Sequence, residues 1–245
     1  MDDILIEDTK NVRIIQFNRP QKLNAINLSM YKALQQTLHE GEQDPDVHVF
    51  FIKGQAQGFT AGHDLQDFLQ GQNLSATHPT VAFLYQLLQL KKPLIAAVSG
   101  HAIGIGTTLL LHCDMVYASD DAQFQLPFVN LNLVPEAACS YLLPQLCGLQ
   151  KASELLMLGD PFGAQQAKEI GLVNHIVQQE TLDAYAFEKA SQLAQKPQEA
   201  LIQTKALLRS TMHKQAQVHL EQELKQFAEH LTLPATKERL QRFFS

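Results

Sequence analysis

β-branched and polar residues set a short-period pattern at the start of the chain. Ile4-Leu5-Ile6 and Val12-Arg13-Ile14-Ile15-Gln16-Phe17 flank a polar, turn-like run from Glu7 to Asn11, which predicts a hairpin over residues 4–17. Asn18-Arg19-Pro20 ends it, because proline lacks a ladder donor and restricts the residue before it. Asn27 or Ser29 is then suited to cap a helix with Met30, Leu34, Thr37 and Leu38 on one side. Strands are predicted at Val47–Ile52, Leu94–Val98, Met115–Ala118 and Leu172–Val177. Helices are predicted around Val81–Leu88, over 106–112 and from Ala164 to Ile170, the last with Gly171 as its cap. The strand-helix-strand rhythm from about residue 47 to 118 favours an α/β core. From Leu182 onward the pattern is helical, broken near Pro197 and Pro234, and Leu201, Leu208, Leu220, Leu224 and Phe227 need cover. The expected organisation is a core over 1–195 and a helical lid or oligomerisation region over 196–245.

Of the 245 residues, 45% are apolar and 18% charged, an ordinary globular balance. A formal charge of -6 without a dense basic stripe argues against a nucleic-acid partner. The longest strongly apolar run, Ile103 to Leu111, is far short of the ~20 residues of a membrane span. Cys113, Cys139 and Cys147 lie in or beside apolar runs and read as reduced core thiols. With a start that lacks secretory character, they lead us to expect a cytoplasmic protein.

Several chemistries fail on spacing. Gly100, Gly104 and Gly106 precede a helix, but Leu109 stands where a dinucleotide fingerprint needs glycine, and no Lys-Ser/Thr pair follows for a P-loop. The ten histidines form no metal-ligand motif, and Ser99-Gly100 is not a nucleophile elbow. No metal and no separate cofactor are expected.

Two small-residue turns remain, Phe59–Leu65 and Gly100–Gly106. Each either packs tightly or presents free amides to an anionic oxygen. Glu136 follows Pro135 among apolar and small residues. It is either a dehydrated carboxylate suited to proton exchange with carbon or a surface glutamate in the first turn of a helix.

Jointly, six blocks resemble the crotonase superfamily, also called the enoyl-CoA hydratase/isomerase superfamily, over roughly residues 5 to 195. They are Asn18–Ala25, Phe59–Leu65, Lys92–Gly100, His112–Ala118, Ala122–Phe124 and Gly163–Val173. The resemblance implies a spiral of ββα units with a C-terminal helical region, assembled as a homotrimer or a dimer of trimers. It implies an acyl-coenzyme A thioester as substrate, so that coenzyme A enters as part of the substrate. By position, the N–H groups of Ala61 and Ile105 would form an oxyanion hole. Ala61, Gly62, His63, Asp64 and Leu65 would line the coenzyme A site, with Lys22 and Leu23 near its nucleotide and pantetheine portions.

Hydratases of this family carry two glutamates at positions held here by Thr108 and Phe128. Glu136 falls instead where peroxisomal-type Δ3,Δ2-enoyl-CoA isomerases place their single catalytic glutamate, and Pro127-Phe128 and Ser140-Tyr141 also look like that subgroup. His63 departs from it, since asparagine is common there; it either touches coenzyme A or caps the loop. The terminus Arg242-Phe243-Phe244-Ser245 is no peroxisomal address. The expected activity is movement of a double bond from the 3 to the 2 position. Another acyl-CoA reaction, such as atypical hydration or thioester hydrolysis, and a non-catalytic acyl-CoA-binding role stay open.

Overall fold

Lys10 and Asn11, at φ 52° and 60°, form a two-residue turn of left-handed residues whose twist matches the right-handed twist of a hairpin. In the computed structural model, which describes residues 2–55, 58–69 and 74–242, this turn joins β1 (Ile4–Thr9) to β2 (Val12–Phe17). β1 therefore runs through residues that read as turn, because only two are needed to reverse the chain. Residues 70–73 of the polar stretch before Val81, and the last three residues of the chain, lie outside the described residues.

α1 (Leu28–Gln43) starts at Asn27, whose side chain accepts the Met30 N–H, and it buries Met30, Tyr31, Leu34, Thr37 and Leu38. Next come β3 (Val49–Lys53), a short α2 (Leu65–Leu69), α3 (Pro79–Gln89) and β4 (Leu94–Val98). β5 (His101–Ile103), α4 (Ile105–Thr108), β6 (Met115–Ser119) and β7 (Gln123–Gln125) follow. α5 (Cys139–Cys147), α6 (Leu149–Leu158), β8 (Phe162–Gly163), α7 (Ala164–Glu169) and β9 (His175–Val177) complete the core. The tail is α8 (Gln179–Ala194), α9 (Gln198–Arg209), α10 (His213–Thr232) and α11 (Pro234–Gln241).

Six strands form one sheet in the order β1-β2-β3-β4-β6-β9, parallel from β2 to β9 with β1 antiparallel at the edge. β5, β7 and β8 make a second, smaller sheet. Its strands are two or three residues long, too short for an alternating pattern to announce them. The central parallel strands β3 and β4 are buried on both faces, as parallel sheets require. One face packs on α8 through Leu182, Ala186 and Ala190. The other belongs to the main core, which Leu220, Phe227, Leu231 and Leu240 of the tail also enter.

Three expectations need correction. Leu172 and Val173 are buried but not in β9; their N–H groups turn back to the Ala167 carbonyl and close α7. The tail breaks once more between Arg209 and His213, without a proline. Leu208 also gains no cover within the chain and stands 71% exposed, whereas Leu220 and Phe227 are buried. Cys139 is buried, and all three cysteines are free thiols.

Candidate active site

The two small-residue turns meet edge to edge. Thr60 donates its N–H to His101 O at 2.8 Å, and its own carbonyl accepts the Ile103 N–H at 3.1 Å. Glycine is needed for this approach. A Cβ on Gly62, at φ +90°, would sit 2.5 Å from the Ile103 carbonyl oxygen, and one on Gly106 would sit 2.6 Å from Thr60 Cγ2. The tight-packing reading of these turns is therefore correct, and it is also what brings their amides together.

Which amides stay free follows from the hydrogen bonds. Ala61 N–H is already given to Leu23 O at 2.9 Å, so Ala61 is not an available donor, contrary to the expectation from position. Gly62 N–H goes to Thr60 Oγ1 and Asp64 N–H to Ile26 O. Between them the His63 N–H has no acceptor among the described residues. Ile105 opens α4, where no intrahelical acceptor exists, so its N–H is free as well. His63 and Ile105, one from each turn, are thus free, as are the helix-opening amides of Leu65 and Gly106.

Glu136 is buried at 8% exposure, ahead of α5 rather than in it, so the surface-glutamate reading fails. Its Oε1 accepts the Thr108 hydroxyl at 2.5 Å. Burial pushes its pKa up to about 8, against the pull of the Thr108 hydrogen bond and with help from the charge of Glu223. The chain next to it is strained, with Ala137 and Ala138 both left-handed at φ 60° and 58°. Two groups hold this turn. His112 is kept neutral by burial (about 4) and donates Nε2–H to Ala137 O at 2.8 Å. Glu223, from α10, accepts the N–H groups of Ala138 at 2.6 Å and Ser140 at 2.8 Å.

A cavity of about 510 Å³ joins these parts. Lys22, Ala61, Gly62, His63, Asp64, Leu65, Ile105 and Glu136 all line it, whereas Leu23 is 55% exposed and lies outside the lining. Phe128 and Leu133 add apolar surface, and Leu224 and Phe227 of α10 bring the tail into the wall. Asp64, the other carboxylate of the described lining, is paired with Arg19 at 2.6 Å. Although burial opposes it, that guanidinium holds Asp64 below the usual range. The His63 imidazole is pushed down to about 3 by burial, so it is neutral.

Sequence reasoning missed Glu223. The signal was present, since 223 shares the helical stripe of Leu220 and Phe227, where an acid is out of place unless paired.

Comparison with known proteins shows the family and the fold. The enoyl-CoA hydratase/isomerase family matches residues 7–244. The chain is 33% identical over 240 residues to a 2,3-dehydroadipyl-CoA hydratase of Escherichia coli (98% of this chain, 93% of that protein). It is 34% identical over 212 residues to an enoyl-CoA delta isomerase 2 of Rattus norvegicus (84% of this chain, 54% of that longer protein). The crystal structure of an enoyl-CoA hydratase/isomerase from Pseudoalteromonas atlantica superposes with a TM-score of 0.95 at 35% identity, covering 99% of this chain and 97% of the other. The fold is thus the crotonase-like α/β fold with a helical C-terminal region. The chain belongs to the enoyl-CoA hydratase/isomerase family, which holds both hydratases and isomerases. Among the described residues, no helix is long and apolar enough to cross a membrane.

Proposed function

We propose that the chain is a Δ3,Δ2-enoyl-CoA isomerase, nearest in type to the peroxisomal isomerases, with Glu136 as its proton shuttle. One observation carries this reading: Glu136 is the carboxylate of the described lining that has no cation beside it, and its pKa of about 8 suits both taking and returning a proton. The carboxylate removes a proton from the carbon next to the thioester carbonyl. Electron density moves onto the thioester oxygen, where the His63 and Ile105 amides donate to it; losing one such donor typically costs on the order of 3 kcal/mol. The resulting acid then protonates the far carbon of the dienolate, which leaves the conjugated 2-enoyl product. Thr108 stands beside Glu136 as a hydroxyl, and Phe128 fills apolar wall, so no second acid is supplied there to activate water.

We also propose that Lys22, Leu23 and residues 61–65 receive the coenzyme A portion, Leu23 through its backbone. Residues 196–245 would act as lid and oligomerisation region, because α10 closes the cavity while Leu207 and Leu208 of α9 face outward. A homotrimer or dimer of trimers working in the cytoplasm fits this reading.

The test is product analysis with each substrate presented separately. 3-Enoyl-CoA should yield 2-enoyl-CoA, and 2-enoyl-CoA should give no 3-hydroxyacyl product; efficient hydration would sink the proposal. Because the base form is needed, kcat/KM should rise about tenfold per pH unit below pH 8 and level off above it. Thr108→Val removes the hydrogen bond that favours the carboxylate, so its profile should move to higher pH. An unmoved profile would show that Thr108 does not act on Glu136.

A further inference from the structure

At residue 63 the backbone and the side chain are held by different parts of the fold. The Gly62 carbonyl and the His63 N–H are opposite ends of one trans peptide plane. That carbonyl accepts the Ile26 N–H at 2.7 Å, so one end of the plane is tied and the His63 amide points away from Ile26. Gly62, at φ +90°, lacks the Cβ that restricts other residues, so it does not by itself set the tilt of the plane. At the other end is the His63 ring. It is stacked parallel on Phe68 of α2 (centroids 3.8 Å apart, 5° between planes), and its Nδ1 meets Tyr31 Oη of α1 at 3.1 Å.

Both partners are themselves secured. Tyr31 is buried and meets the Phe83 ring at 5.6 Å, and Phe68 is buried and meets Phe227 of α10, also at 5.6 Å. Asp67, next to Phe68, accepts at 3.0 Å the Leu28 N–H that opens α1, which moors α2 to the helix carrying Tyr31. Burial pushes the imidazole down to about 3, so the ring stays neutral between its partners.

We propose that Tyr31 and Phe68 are positioning residues: by holding the His63 ring they fix the direction of the His63 amide toward the thioester oxygen. This rests on the reading that the amide receives such an oxygen, and not on isomerisation. It also gives the His63 side chain a role, since the ring acts through its own backbone rather than on coenzyme A. Small displacements suffice for a measurable effect, because a misplacement of about 1 Å can cost on the order of 10²-fold in rate.

The experiment uses the full-length protein. His63→Ala removes the ring and keeps the amide, Phe68→Leu removes the stack, and Tyr31→Phe removes only the hydroxyl. Each should lower kcat for a 3-enoyl-CoA about tenfold while KM stays within about threefold. Once residue 63 is alanine, the other two substitutions should have little further effect, because they act through it. Independently of turnover, the same changes are made in the Glu136→Gln protein, and infrared spectra are taken of bound hexanoyl-CoA labelled with carbon-13 at its carbonyl. The carbonyl band should lie below its solution frequency in the parent, and each substitution should return at least half of that shift. Thermal melts verify folding, and Tyr31→Phe, which keeps the buried ring, carries the test if the others do not fold. A rise in KM alone on His63→Ala means that the ring touches coenzyme A and overturns the proposal. Additive effects of the substitutions, or a carbonyl band that they leave in place, overturn it too. An unshifted band in the parent overturns it together with the reading of the amides. A shifted band that responds to the substitutions, in a protein whose wild type fails to isomerise 3-enoyl-CoA, supports this proposal and sinks the isomerase reading alone.

Discussion

Glu136→Gln is expected to slow isomerisation of 3-enoyl-CoA by about 10³-fold or more while acyl-CoA affinity stays within a few-fold of wild type. The amide keeps the shape and can still accept from Thr108, but it cannot take a proton from carbon. Turnover measured with a 3-enoyl-CoA, beside a calorimetric titration, separates the two effects. Wild-type turnover by the variant would remove Glu136 from the mechanism. The same variant should change how stability depends on pH. The folded protein holds the Glu136 proton up to about pH 8, whereas the unfolded chain releases it near the ordinary value of 4.5. Stability from this group is therefore complete below pH 4.5 and lost as pH rises toward 8, at about 1.4 kcal/mol per unit of pKa difference. Glutamine does not titrate, so thermal melts should show the variant gaining on wild type across that window. A difference between the two proteins that is constant with pH would mean that Glu136 ionises freely in the fold.

The second large effect is expected at Glu223. Its carboxylate holds two N–H groups of the turn that carries Glu136, and that turn includes two left-handed alanines. Glu223→Ala should cost about 3 kcal/mol of stability, because two buried donors lose a charged acceptor. It should also lower kcat far more than it raises KM, since the carboxylate at 136 is no longer held against Thr108. A purely structural role would stop there. The charge of Glu223 also pushes Glu136 up. The milder Glu223→Gln should therefore move the acid limb of the kcat/KM profile to lower pH. A profile that stays in place while the melting temperature drops would reduce Glu223 to a scaffold residue.

Long or strongly marked elements were legible in the sequence for physical reasons. The Asn27 cap, the apolar face from Met30 to Leu38 and the buried run Leu94–Val98 each depend on local residue types, and each stands where expected. The second sheet did not show itself, since strands of two or three residues owe their form to neighbours far away in sequence. At the site, residue types sufficed to single out Glu136 and the two glycine-bearing turns. They did not suffice to choose among adjacent amides. Whether Ala61 or His63 donates depends on Leu23, whose carbonyl reaches back across 38 positions to claim the former. Similarly, Glu136 alone allowed a surface or a buried carboxylate, and the 85 positions that separate Ala138 from its anchor explain why the choice needed coordinates.

α10 places Leu224 and Phe227 in the wall of the cavity and Glu223 on the backbone beside the carboxylate. Pocket shape and acid strength are thus inherited together through one helix. Descendants that exchange or remodel this segment alter what fits and at what acidity the chemistry runs in a single event, so the two traits should drift as a linked pair among relatives.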